Sequence, residues 1–257
     1  MSTVYDCKSS ELRQSGIDAA VSALRGGDLV VLPTDTVYGI AADAFTPDAV
    51  RAMLAAKGRG RNVPSPVLVG TTRAAAALVE DMGAFGQDLI DEFWPGALTL
   101  VFRASPTLLW DLGDTKGTVA LRMPLHPVAL EVLKQSGPLA VSSANRHGQP
   151  SATTAEEAER QLGEVVSVYL DGGPCADSVP STILDLTGTI PTLLRAGAIS
   201  VDRLRTVASV IADNEELTVA AADYKPAAPH PLARDAQGGP RTEGMIDSPV
   251  QEPPSGS

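Results

Sequence analysis

Apolar residues recur at helical spacing through Ile17, Ala20, Val21 and Leu24, and Gly26-Gly27 ends the run. Leu29–Leu32 follows as a short, wholly apolar stretch closed by Pro33, the pattern of a buried strand. Thr46-Pro47 then places an N-cap and a first-turn proline before a helix ending at Lys57-Gly58. Val67–Val69 reads as a strand, and Thr71-Thr72 opens an alanine-rich helix. Strands are expected at 97–103, 118–122, 139–142, 165–170, 182–186 and 192–195, with helices at 126–135 and 200–212.

This interleaving predicts one α/β domain over residues 1–212, with a twisted sheet flanked by helices. The last three strands have little helix between them, so some antiparallel pairing is expected and the sheet should be mixed. Residues 213–257 lose all periodicity and are rich in Pro, Ala, Gly and acids; they read as a disordered acidic tail.

Charge narrows the functional class. The chain carries a formal net charge of −11, and the tail contributes eight acids and three bases to it, leaving 23 acids and 17 bases in residues 1–212. A body this acidic is a poor general binder of phosphate backbones, although a local basic cleft is compatible with it. No apolar run is long enough to cross a bilayer and the N-terminus lacks a basic-then-apolar leader, so a cytoplasmic protein without membrane contact is expected. Two distant cysteines, Cys7 and Cys175, argue against a disulfide framework and a zinc ribbon.

The P-loop, GxGxxG, HExxH and GxSxG patterns are all absent. His126, His147 and His230 are dispersed, which leaves no basis for a histidine metal site or a Ser-His-Asp arrangement. Polar residues gather instead where strands end, and open α/β sheets bind ligands at the carboxyl ends of their strands. Pro33–Gly39 (PTDTVYG) holds two hydroxyls, a carboxylate and a phenol; it is either a self-capped turn or part of a site. Lys57, Arg59 and Arg61 either complement a helix dipole or clamp an anion. Arg122, at the end of an apolar strand stopped by Met123-Pro124, either enters a cleft or makes a surface ion pair. Ser142–Asn145, continuing to Gly148–Ser151, is a small-residue loop that a ligand could approach closely. Ser181 before one strand and Arg195 after the last complete the set. Together they suggest a concave, electropositive, hydroxyl-rich cleft suited to a nucleoside triphosphate and a small carboxylate.

In order along residues 11–205, PTDTVYG, the KGR at Lys57–Arg59, PGALTLVF, VALRMPLHP, SSANRHGQPS, PSTILDL and LLRAG resemble the YrdC-like threonylcarbamoyl-AMP synthase family. The resemblance implies that L-threonine, bicarbonate (or CO2) and ATP give threonylcarbamoyl-AMP and pyrophosphate. That product would serve the downstream tRNA threonylcarbamoyl-transferase machinery, which modifies an adenosine next to the anticodon. It implies Mg2+ arriving with ATP, no dedicated protein metal site, and weak or absent direct tRNA binding. Such chemistry needs two anions positioned and a pentacovalent phosphorus stabilised, with no protein nucleophile.

Position by position, the resemblance implies that Thr36 contacts threonine, that Arg122 pairs with its carboxylate, and that the backbone around Val141 and the Ser181 hydroxyl complete that subsite. Lys57 and Arg59 match the catalytic basic pair on the triphosphate. Ser65, Thr118, Ser143, Asn145, Ser151 and Arg195 match nucleotide-binding positions. Two departures stand out: the segment after Arg59 is two residues longer than the common pattern, and Gly70 stands where some members have a histidine against threonine. Arg61 is an extra cation, expected to help hold the phosphates. Two other readings have less behind them. An RNA-binding module of the same fold has against it the acidic body and only ten aromatic residues. A hydrogenase-maturation-type carbamoyl adenylation lacks here the zinc-finger cysteines and acylphosphatase-like segment of those chains.

Overall fold

The computed structural model describes residues 2–175 and 179–213; the tail expected over 213–257 lies, apart from Asp213, outside them. In chain order the elements are β1 (Thr3–Asp6), α1 (Ser10–Arg25), β2 (Val30–Leu32), β3 (Gly39–Asp43), α2 (Pro47–Lys57), β4 (Val67–Leu68), α3 (Thr72–Ala76), α4 (Gly83–Phe93), β5 (Leu98–Arg103) and β6 (Thr118–Arg122). Then come α5 (Pro127–Ser136), β7 (Leu139–Ser143), α6 (Ala155–Leu162), β8 (Val168–Asp171), β9 (Thr182–Asp185), β10 (Thr192–Arg195), α7 (Val201–Arg205) and β11 (Ala212–Asp213). The strands form one mixed sheet in the order β1-β8-β2-β3-β7-β4-β6-β5-β9-β10-β11. The expected antiparallel pairing near the end is present between β9 and β10, whereas β8 lies far across the sheet, parallel to β1 and β2.

Side-chain alternation divides the sheet into two faces. Ile40, Ala42, Val67, Leu121, Ala140, Leu100 and Leu184 point to one face, where Met53 and Leu54 of α2, Leu89 and Ile90 of α4, Leu162 of α6 and Leu204 of α7 cover them. Val30, Ala41, Leu68, Leu139 and Leu170 point to the other, under Ile17, Val21 and Leu24 of α1 and Val128, Val132 and Leu133 of α5. Each buried aliphatic side chain contributes about 1.5–3 kcal/mol relative to exposure, so both layers hold the sheet firmly.

Two helices are too few for eleven strands. On the α1/α5 face, β5, β6 and β9 alternate buried residues with half-buried Thr118, Ala120, Val101 and Ile183. This uncovered half-face is a floor without a helical lid.

Several elements differ from expectation. β1 is a short exposed edge strand without an apolar signature, and β3 (GIAAD) is built from small residues that carry little strand signal. The alanine-rich helix lasts only five residues before Val79 bridges to Ala104, and α4 begins afresh at Gly83. α6 lacks a broad apolar stripe because half of its residues are charged; the Thr154 hydroxyl accepts from Glu157 N, the start signal of a capped helix. The last helix ends at Arg205 rather than near 212. Thr46 does stand at the N-cap of α2, but its hydroxyl donates to Asp43 Oδ2 (2.9 Å) rather than capping the helix.

Candidate active site

The segment between β2 and β3 is partly a self-capped turn: Thr34 Oγ1 donates to Val37 O (2.7 Å) and accepts from Thr36 N (3.2 Å). Its other polar groups face Arg122. The Arg122 guanidinium donates through Nη1 to Thr36 Oγ1 (3.0 Å), through Nη2 to Asp35 Oδ1 (2.6 Å), and through Nε to Gly96 O (2.9 Å). Arg122 and Thr36 are 6% and 2% exposed, so this arginine makes no surface ion pair. Burial lowers its pKa, and Asp35 opposes that shift. Tyr38, the phenol of the same motif, belongs to the core: its hydroxyl donates to Gly173 O and accepts from Gly172 N.

The ends of β9 and β10 meet the same floor. Ser181 Oγ lies 2.8 Å from Thr99 Oγ1 on β5, and Arg195 donates through Nε and Nη2 to Ser181 O (3.0 and 2.8 Å) and through Nη2 to Ser181 Oγ (2.9 Å). A bulge directs Arg195 there. Leu193 pairs with Leu184 on the helix-covered face, but Arg195 pairs with Ile183 on the open one, because Leu194 is inserted between them. The pKa of Arg195 is lowered first by the protein packed around it and then by Arg122 and Arg59, like charges close enough to be felt. The three arginines converge.

Lys57 and Arg59 part at Gly58, whose left-handed conformation (φ 67°) ends α2. Arg59 turns back toward β7 and donates through Nη1 to Ser142 Oγ (3.1 Å). Lys57 turns inward and is 1% exposed. Its Nζ donates to Ser143 O, to Asn145 O (2.7 Å) and to Asn145 Oδ1 (3.2 Å). An ammonium has three donors, and these three acceptors meet them, so Lys57 holds the loop that carries Ser143. Asn145 spends its amide on Arg146 O and Gln149 O, which closes the 143–149 turn. Burial, with Arg59 assisting, lowers the Lys57 pKa to about 7.

The remaining expected residues are placed unequally. Ser65 is 6% exposed and its hydroxyl has no partner. Thr118 Oγ1 donates to Thr115 O (2.8 Å), at the far end of the strand that carries Arg122. Val141 N donates to Pro66 O (2.8 Å), so the Val141 N–H is not available to a ligand. Ser151 is exposed. Arg61 does not reach for phosphate: its Nη1 and Nη2 fork onto Asp111 (2.8 and 2.7 Å), while Asp114 N donates to its carbonyl. At Gly70 a Cβ would stand 2.9 Å from Lys134 N and 3.0 Å from Leu133 C, so α5 fills the space a histidine would need. Among the described residues, no three His, Cys, Asp or Glu side chains gather as a metal site, and no helix is long and apolar enough to cross a membrane.

The location at strand carboxyl ends also needs correction. β6 is parallel to β4, and β4 is antiparallel to β7, so the carboxyl ends of β6 and β7 point opposite ways. Arg122 is level with Leu68 and Leu139, at the start of β7. The site therefore lies across the open sheet face, and the 33–38 segment meets Arg122 over it. Sequence reading missed Asp35 as the partner of Arg122, and it missed Thr99, which ties Ser181 to β5. The only signal for Asp35 was its place between two threonines in a motif already marked as polar.

Known proteins resemble this chain in sequence and in fold. A Mycobacterium leprae relative is 56% identical over 211 residues, 82% of this chain and 96% of its own length. The threonylcarbamoyl-AMP synthase of Bacillus subtilis is 39% identical over 194 residues, 74% of this chain and 56% of its own. The crystal structure of Pyrococcus abyssi Sua5 complexed with L-threonine superposes with a TM-score of 0.78 at 32% identity, covering 83% of this chain and 63% of that one. Escherichia coli YciO shares the fold, with a TM-score of 0.71 at 22% identity over 79% of this chain. The Sua5/YciO/YrdC profile, described as telomere recombination, matches residues 22–197, and the chain belongs to that family.

Proposed function

We propose that this chain is an L-threonylcarbamoyladenylate synthase, an adenylyl-transferring enzyme that acts in the cytoplasm. It makes threonylcarbamoyl-AMP and pyrophosphate from L-threonine, bicarbonate and ATP, for N6-threonylcarbamoyladenosine in tRNA. The observation that carries the reading is the convergence of Arg122 and Arg195, from distant stretches, on one uncovered sheet face beside Thr36, Thr99 and Ser181, with the charge of Arg59 close enough to act on Arg195. Its likeness to the threonine-bound Sua5 supports the choice of amino acid.

The steps follow from the donors. Arg122 offers its remaining N–H groups to the threonine carboxylate, and Thr36 and Ser181 add hydroxyls. The threonine amine adds to the carbon of CO2 and loses a proton to give a carbamate; from bicarbonate the same carbamate forms with the loss of one water. A carbamate oxygen then attacks the α-phosphorus of ATP and pyrophosphate departs. Arg59 and Arg195 stabilise charge on the phosphates as it develops. Ser65, with its unpartnered hydroxyl, and Ser143 line the nucleotide side, while Lys57 and Asn145 shape the loop that carries Ser143. Magnesium would arrive with ATP and neutralise charge on its phosphates.

Incubation with threonine, bicarbonate and labelled ATP tests this directly. Pyrophosphate release should depend on threonine and be suppressed in Arg122→Ala. Release indifferent to the amino acid would overturn the reading, as would specific tRNA binding with no turnover.

A further inference from the structure

Asp35 is not accounted for by any role above except as a neighbour of Arg122. Its Oδ1 accepts two bonds, from Arg122 Nη2 (2.6 Å) and from Leu125 N (2.9 Å). Its Oδ2 has no bond among the described residues, and the side chain is 15% exposed. Arg122 has five N–H groups, of which Nε, one on Nη1 and one on Nη2 are in use. One N–H remains on each terminal nitrogen, free to meet an anion.

Unspent arginine donors thus adjoin an uncommitted carboxylate oxygen in a largely buried pair beside the open sheet face. A lone carboxylate ligand would be repelled by Asp35, because like charges at such range in a poorly hydrated site are costly. A zwitterion would not. The carboxylate and ammonium of an α-amino acid sit on one carbon, and the Arg122–Asp35 pair offers the complementary charges side by side.

We propose that Asp35, through Oδ2, receives the amine of the amino-acid substrate and thereby selects α-amino acids over other hydroxy-carboxylates. The inference rests on the threonine reading and adds the group that reads the amine. Held there, the nitrogen has its rotation about the Cα–N bond fixed before it meets the carbon it will bond to; Asp35 forms no covalent bond.

The test compares two ligands on the intact chain by titration calorimetry: L-threonine, and (R)-3-hydroxybutanoate, which keeps the carboxylate and the β-hydroxyl but lacks the amine. Asp35→Asn should weaken L-threonine about tenfold to a hundredfold, the worth of a charged hydrogen bond, and change 3-hydroxybutanoate by less than about threefold. Equal weakening of both would overturn the proposal, because it would mean that Asp35 serves only to hold Arg122. No weakening of threonine would overturn it as well. Should Asp35→Asn not fold, Asp35→Glu, which keeps the charge, is read instead: it should still prefer threonine over 3-hydroxybutanoate, and loss of that preference is the overturning result. A wild-type chain that binds ATP and neither small ligand would remove the threonine reading itself, an outcome distinct from the others.

Discussion

Lys57→Met keeps the length and apolar stem of the side chain and removes the ammonium. Ser143 O, Asn145 O and Asn145 Oδ1 then lose their donor where water does not reach. Each stranded acceptor costs about 1–3 kcal/mol, about 3–9 in all. The buried charge has a cost of its own: lowering the pKa from 10.5 to about 7 corresponds to about 5 kcal/mol. The two largely cancel at pH 7, which puts the net change there between a gain of about 2 kcal/mol and a loss of about 4 kcal/mol. The pH dependence is sharper. Between pH 7 and 10.5 the unfolded chain binds the Lys57 proton and the folded one does not, so raising the pH favours the folded wild type. Lys57's contribution is full above about pH 10.5 and gone below about 7. Relative to the variant, the wild type should gain about 1.4 kcal/mol per pH unit in that window. From pH 7 to 9 this is about 3 kcal/mol, or about 6–12 °C in melting temperature for a body of this size. Thermal melts of both proteins from pH 6 to 9.5 measure the difference while other titrations cancel. A gap independent of pH would refute the depressed pKa. A variant with an unchanged Michaelis constant for ATP would refute the loop-holding role.

Other consequences are simpler to check. Ser65→Ala removes a buried hydroxyl without a partner, so the urea midpoint should hold or rise, by up to about 1 kcal/mol in stability, while the Michaelis constant for ATP increases severalfold; a lowered midpoint with unchanged ATP kinetics would contradict this. Arg61→Ala should leave ATP affinity unchanged, because its guanidinium is committed to Asp111; a tenfold loss in ATP titration would restore a phosphate role. Gly70→His forces a side chain against the backbone of α5 and should lower stability by about 1–3 kcal/mol without improving threonine binding, as melting curves and threonine titration would show.

How much of this was legible depended on how locally each feature is encoded. Buried runs such as Leu29–Leu32 and Thr118–Arg122 announce their strands because their neighbours in sequence share their fate. β1 and β3 do not, since an exposed edge strand and a row of small residues owe their conformation to partners far along the chain. Arg122, Thr36, Ser181 and Arg195 were recognisable as a set, yet what joins them was not. The reversed direction of β6 against β7 is a property of strand order, which spacing does not reveal. Lys57 and Arg59 look equivalent as letters, but a single left-handed glycine sends one inward and the other to the cleft. Gly70 could be flagged as a departure; only the placement of α5 explains it.

The extra residue in β10 has a practical corollary for anyone who engineers or compares such chains. Were the strand ironed flat with Leu194 kept, Leu194 would take the place opposite Ile183, and Arg195 would swing beneath the sheet on the face of Leu184 and its helical cover while its binding partners were left behind. Deleting Leu194 alone would keep Arg195 opposite Ile183 on the open face, so a homologous sequence one residue shorter here should be aligned with its gap at Leu194 and its arginine against Arg195.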